Sequence, residues 1–302
     1  MIFLLFLPLI LLLSYFCIAF LVNSAVFRPY KKIKPPADGR KVNFRSGRNR
    51  LAGYLWNESG TRGLIVFAHG MGTGVEYYLP EIHHFASQGY KVFAFEYSGY
   101  SESSGKFYGF PQAVIDLKNA LDFIDDGSLP VILMGHSMGA YAVCCAGEPV
   151  DGIVAYAPFF SSDEVVITEA TGGNQKSGKL LCGLILPMQR ILFGNKCNPI
   201  AAAELSRVNV PTLVLQGSKD MEVTPDGCAL YAHRDELSDG TVTFLLIDDD
   251  GSNGHMTIVR KKGSKTVNED TIRQVNAFLD TALRRYDSEK TCKNDSAEKS
   301  DR

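Results

Sequence analysis

Between residues 41 and 286, short apolar runs alternate with longer amphipathic ones. Residues 64–68 (LIVFA), 91–95 (KVFAF), 131–134 (VILM), 153–155 (IVA), 212–215 (TLVL) and 242–247 (VTFLLI) read as strands buried on both faces. Residues 42–44 and 51–56 read as an opening antiparallel pair, which brings the expected sheet to eight strands. Residues 111–125 carry Pro111 in the first turn and Val114, Leu117, Leu121 and Ile124 at helical spacing. A second helix is predicted over 268–285, with Ile272, Val275, Phe278, Leu279 and Leu283 on one stripe. Strand–helix alternation predicts an α/β fold, a mostly parallel sheet with helices on both faces. Residues 158–210 break the rhythm. Their stretch 180–193 (LLCGLILPMQRILF) is apolar almost all round and reads as part of a cap over the strand ends.

The chain ends follow different patterns. Of 31 basic and 33 acidic side chains, none falls in residues 1–27. Residues 1–22 (MIFLLFLPLILLLSYFCIAFLV) can form a helix about 33 Å long, enough for a bilayer core of roughly 30 Å. No positive charge precedes the run, and Asn23-Ser24-Ala25 is a poor cleavage site, so segment 1–27 is read as a retained membrane anchor. A cleaved signal peptide, with a secreted body, is the alternative. Arg28, Lys31, Lys32 and Lys34 follow the run and predict a cytoplasmic body. Residues 28–40 read as a basic, Pro-rich linker, and residues 287–302 as a disordered charged tail. The domain between them is 41–286.

Composition narrows the function. A hydrophobic content of 45% excludes intrinsic disorder, and a net charge of −2 argues against a nucleic-acid partner. Seven cysteines are too few for a disulfide-built scaffold. Cys144 and Cys145 are adjacent, an awkward geometry for a bridge, and read as small buried residues in a helix.

Gly135-His136-Ser137-Met138-Gly139 matches the G-x-S-x-G nucleophile elbow, with VILM before it and the small-residue stretch AYAVCCA after it. Such a tight strand-to-helix turn needs flanking glycines, because a Cβ would strike the neighbouring strand and helix. It aims the Ser137 hydroxyl away from the sheet and puts the Met138 N–H where it can donate to an oxyanion. An ordinary strand-turn-helix with Ser as N-cap is the plain alternative. His69-Gly70-Met71-Gly72 follows the strand LIVFA; the Met71 N–H is the second candidate oxyanion donor, and His69 reads as structural. A dinucleotide loop would need Gly or Ala at the position of Val75. A serine nucleophile needs a base and an orienting acid. Asp220 follows the strand TLVLQ and His255 follows VTFLLI, so both can meet Ser137 above one sheet edge. Asp248, Asp249 and Asp250 could bind a cation but read as a solvated acidic turn, while His83, His84 and His233 read as surface or packing residues.

Over residues 41–286 the chain resembles the α/β-hydrolases of the lipase, esterase and monoacylglycerol-lipase type. Residues 95–105 (FEYSGYSESSG) resemble that family's F-D-x-R-G-x-G-x-S-x-G segment, and 211–220 (PTLVLQGSKD) its P-T-L-x-x-x-G-x-x-D segment. Ser98 stands in place of the usual Arg, and Ser101 in place of the usual Gly. The resemblance implies acyl transfer from an ester, thioester or amide to water, through Ser137, His255 and Asp220, without metal or organic cofactor; the apolar stretch 180–193 points to an apolar acyl group, carried by a carboxylic ester or thioester. An acyltransferase, a serine peptidase and a non-catalytic binding protein on the same fold are the other readings.

Overall fold

The structure is a computed structural model that describes residues 2–29, 33–169, 172–237 and 240–300. Its centre is an eight-stranded sheet in the order β1-β2-β4-β3-β5-β6-β7-β8. β1 (Arg40–Ser46) and β2 (Asn49–Trp56) form the expected hairpin, and β2 is antiparallel to β4 (Lys91–Phe95) as well. The remaining pairings, through β3 (Leu64–Ala68), β5 (Val131–His136), β6 (Gly152–Tyr156), β7 (Thr212–Gly217) and β8 (Val242–Ile247), are parallel. All eight strands read from the hydropathy pattern are present. Residues 242–247 depart from the expectation in burial: β8 is an edge strand, pairing with β7, and Leu246 is 44% exposed. An apolar run alone does not separate a central strand from an edge one.

The sheet is covered on both faces, and β3 shows how. Leu64, Val66 and Ala68 face a core shared with α3 (Phe110–Ile124), α4 (Met138–Cys144) and α7 (Ala201–Val208), whereas Ile65 and Phe67 face α2 (Leu79–Ser87) and α8 (Glu269–Ser300). Because side chains alternate across a strand, one uninterrupted apolar run serves both cores.

The chain ends are less separate than their composition suggests. α1 (Ile2–Val26) contains a stretch, Phe6–Val26, long and apolar enough to cross a membrane. Its second half docks on the body. Ala19, Asn23 and Phe27, spaced by four, are buried, and the Tyr15 hydroxyl donates to Gly183 O at 2.6 Å. Gly183 belongs to α6 (Gln175–Phe193), which with α5 (Ser162–Thr168) forms the bulk of the 158–210 insertion. α6 is not buried all round: Cys182, Ile185 and Met188 point inward while Leu180 and Ile191 are exposed. Part of the segment read as a linker is also pinned to the body. Asp38 accepts from the Trp56 indole at 2.9 Å and pairs with His83, and Ile33 packs against the core; Tyr30, Lys31 and Lys32 lie outside the described residues. The charged tail, read as disordered, continues α8 as helix through Ser300. A helix satisfies its own backbone groups, and no Gly or Pro interrupts residues 264–300, so lack of an apolar stripe does not by itself end it.

Candidate active site

Ser137 sits between β5 and α4 with φ 55° and ψ −118°, a left-handed conformation that a non-glycine residue adopts only under constraint. The constraint comes from the two glycines around it. A Cβ on Gly139 would lie 2.0 Å from Ala68 O, and one on Gly135 would lie 2.4 Å from Gly139 O. With no side chain at either position, α4 packs directly on β3 and β5, and the turn between them cannot relax. The Ser137 N–H donates to Tyr156 O at 2.8 Å, which ties the turn to β6.

Asp220 and His255, from the loops after β7 and β8, are in contact: His255 Nδ1 lies 2.8 Å from Asp220 Oδ2, and both residues are buried. Asp220 is held from three sides. Its Oδ1 accepts the N–H groups of Glu222 and Val223 at 2.9 and 2.8 Å, and its Oδ2 accepts from Gln216 Nε2 at 3.2 Å. His255 is tied toward the elbow through the preceding residue, because His136 Nε2 donates to His255 O at 3.1 Å and the two rings are 4.7 Å apart. His136 is fully enclosed, and burial first, with His255 second, pushes its pKa well below the ordinary histidine value. A neutral ring with its proton on Nε2 keeps this donation and leaves Nδ1 to accept from the Tyr78 hydroxyl at 2.8 Å. Among the described residues no hydrogen bond joins Ser137 Oγ to His255, a contact that in hydrolytic sites often tightens only with substrate in place.

Ser137, Met138 and Met71 line one cavity of about 360 Å³. The Met138 N–H belongs to the first turn of α4, whose N–H groups have no partner within the helix. Most of the remaining wall is apolar, including Phe110, Phe159, Val165, Val166 and Val223, while Glu169 and Glu222 bring carboxylates to it. Burial raises the Glu169 pKa from its ordinary value. Glu222 Oε2 lies 3.8 Å from His255 Nε2, on a side chain 71% exposed. Residues 180–193 contribute nothing to this wall. The cap residues that reach it are Val165 and Val166 of α5 and Phe159, Glu169 and Gly172 on either side of it, and α6 instead carries α1.

The other candidates have their own places. His69 is buried, with Nδ1 2.8 Å from Gly70 O and Nε2 3.3 Å from Glu96 Oε2. Glu96 also accepts the Val75 N–H at 3.1 Å, so it is turned into the protein rather than toward a ligand. Asp248 accepts from Ser218, and Asp250 pairs with Lys219 at 3.4 Å in the open. His233 stacks on Phe160 and meets Glu164 and Glu236, and His84 meets Gln88. The six described free cysteines include buried Cys144, which ends α4, and Cys145, its C-cap.

The two unusual serines of residues 95–105 are accommodated differently. Ser98 is buried and donates from N–H and Oγ to Asp116, at 2.8 and 3.1 Å. Asp116 also accepts from Ser46 at 2.5 Å and Gln112 at 2.9 Å; burial raises its pKa, and these four bonds oppose the rise. Ser101 has φ 43° and a buried hydroxyl without a partner among the described residues. Here the backbone wants the glycine that the resemblance leads one to expect.

Sequence reasoning missed most of the cavity wall, Val26 and Phe27 included, and the supporting residues Gln216 and His136. His136 lay inside the elbow motif, and Gln216 stood at the end of a strand already singled out. Val26 and Phe27 carried no signal, since they close a segment that reads as membrane anchor.

Comparisons with known proteins agree with this geometry at the level of fold. Residues 59–191 match the serine aminopeptidase S33 family. No curated protein matches the sequence significantly. Among solved structures, an esterase of Pyrococcus furiosus superposes with a TM-score of 0.63 at 17% identity, covering 85% of this chain and 99% of the esterase. An alpha-beta hydrolase of Vibrio vulnificus gives 0.58 at 17% identity, covering 82% of this chain and 81% of its own. The acylaminoacyl peptidase of Pyrococcus horikoshii gives 0.57 at 14% identity, covering 80% of this chain and 40% of the peptidase. Sheet order, elbow and neighbours together establish that the chain has the α/β-hydrolase fold.

Proposed function

We propose that this protein is a serine hydrolase that cleaves carboxylic esters or thioesters of apolar acyl groups. The observation that carries the reading is a strained Ser137 opening into an apolar cavity beside a buried Asp220–His255 pair. In this reading His255 removes the Ser137 proton as Oγ attacks the acyl carbonyl. The oxyanion takes hydrogen bonds from the Met71 and Met138 N–H groups, each contributing about 2.7–4 kcal/mol to lowering the barrier. His255 then gives its proton to the leaving alcohol or thiol, and a water activated by the same imidazole releases the acid. Asp220 holds the imidazole tautomer and stabilises its charged form. A membrane-spanning α1 would keep the cavity close to lipid esters.

An alkyl fluorophosphonate should label the wild type and not Ser137→Ala. A folded wild type that resists labelling would refute the proposal. Hydrolysis rates over a series of acyl esters should rise with chain length; turnover confined to acetyl esters would remove the apolar-acyl part. One observation favours a second reading, an aminopeptidase. Glu169 and Glu222 lie on the cavity wall, where carboxylates could receive a free α-ammonium group. Aminoacyl p-nitroanilides assayed beside acyl esters separate the two.

A further inference from the structure

We infer that α1 is a wall of the substrate cavity as well as an anchor: Val26 and Phe27 hold the acyl chain of a membrane lipid ester that enters sideways from the bilayer. The inference rests on the proposed role of Ser137 for its reacting end.

Both residues line the same cavity as Ser137, with Phe110, Phe159 and Val165. Phe27 is 1% exposed and meets the Phe110 ring edge-on at 5.1 Å, so this end of α1 is packed into the hydrolase. Polar contacts fix its position. Buried Asn23 donates to Tyr108 O at 2.9 Å and faces Gln189 Nε2 at 3.5 Å. Signal cleavage after Ala25 would remove Asn23 and this docking with it.

The opposite face of the same helix is bare, with Ile18 52% and Leu21 66% exposed. Leu180 and Ile191 of the neighbouring α6 are exposed too, as are Met71 and Met221 at the cavity. Exposed apolar surface of this extent, interrupted on α6 by exposed Lys179 and Arg190, calls for an apolar medium. Val26 lies five positions beyond Leu21, which is about 7.5 Å along a helix. The headgroup layer of one leaflet is about 5–8 Å thick. If bare α1 lies in the hydrocarbon, the cavity mouth stands at headgroup depth, and a lipid acyl chain can reach Ser137 without crossing bulk water.

The full-length protein is placed in phosphatidylcholine vesicles containing a phosphatidylcholine with a diazirine on one acyl chain, irradiated, and mapped by mass spectrometry. The expected result is crosslinking at 26–27 and at cavity residues such as Phe159 and Val165, besides the exposed length of α1. Crosslinks confined to residues 6–21 overturn the inference. Phe27→Ala risks the fold, so Val26→Trp, at a half-buried position, gives the second measurement. It should slow labelling by hexadecyl fluorophosphonate about tenfold or more, and labelling by the ethyl analogue less than about twofold. Equal effects on both reagents, or none, overturn the inference. Absence of any phosphonate labelling in the wild type would defeat the serine-hydrolase reading, while the photolabelling pattern still decides the wall.

Discussion

Gly139→Ala tests whether contact between α4 and β3 holds the elbow. Two effects of opposite sign compete. Gly139 lies within α4, where alanine is favoured over glycine by about 1 kcal/mol. Against this, the new Cβ would lie 2.0 Å from Ala68 O, 2.5 Å from Ala68 C and 2.8 Å from His69 O. All three are backbone atoms, the first two in a strand paired on both sides, so no side chain can swing away. Overpacking of this kind costs about 3 kcal/mol, the upper end of its usual range. The net loss is about 2 kcal/mol, a fall in Tm of roughly 4–8 °C. Gly183→Ala is the matched control: it lies in α6, where an added Cβ meets nothing within 4 Å. There only the propensity acts, and the same chemical change should stabilise by about 1 kcal/mol. Thermal unfolding in detergent, followed through the single tryptophan, buried Trp56, reads both. Phosphonate labelling of Gly139→Ala should also slow, because Ser137 moves with the helix. If Gly139→Ala melts at or above the wild type and labels normally, close approach to β3 does not hold the elbow.

Three further outcomes are expected. Ser101→Gly should raise stability by about 1 kcal/mol in the same melt, since it relieves a left-handed φ of 43° and removes a buried hydroxyl without a partner among the described residues. His136→Gln should flatten the acid limb of the stability curve. The depressed folded pKa of His136 means the unfolded state takes up the extra proton, so stability is full above about pH 6.5 and falls by about 1.4 kcal/mol per pH unit below it; urea titrations at pH 7.5 and 5.5 should show a smaller difference in the variant. Asp220→Asn should keep the melt close to the wild type yet reduce ester turnover by about 10⁴-fold, because the His255 tautomer is no longer fixed; a tenfold loss or less would remove Asp220 from its proposed role.

The elbow was legible in the sequence because its requirements are local. Two glycines and a serine at fixed spacing, between a strand run and a small-residue helix, describe a steric solution that the 2.0 and 2.4 Å clearances then display. Asp220 and His255 were legible for a related reason: in a parallel sheet, loops after neighbouring strands emerge at one edge. The roles of 180–193 and of the leader were not. An apolar stretch says that it must be covered and does not say by what. Here α6 is covered partly by α1 and left partly bare, and it is α5 that contributes Val165 and Val166 to the cavity wall. Burial of individual strands was equally beyond reach, as β8 shows.

By itself the sequence determined the alternation of strands and helices, hence the doubly covered sheet, and the residues that carry the candidate chemistry, because period and turn sterics act over a few neighbours. Tertiary structure alone decided which surfaces meet: Val26 and Phe27 beside Ser137, His136 on the carbonyl of His255, Gln216 behind Asp220. Those contacts join residues from about 4 to more than 100 positions apart, and apolar burial is non-directional. Hydropathy states that a side chain leaves water; only packing selects its partner.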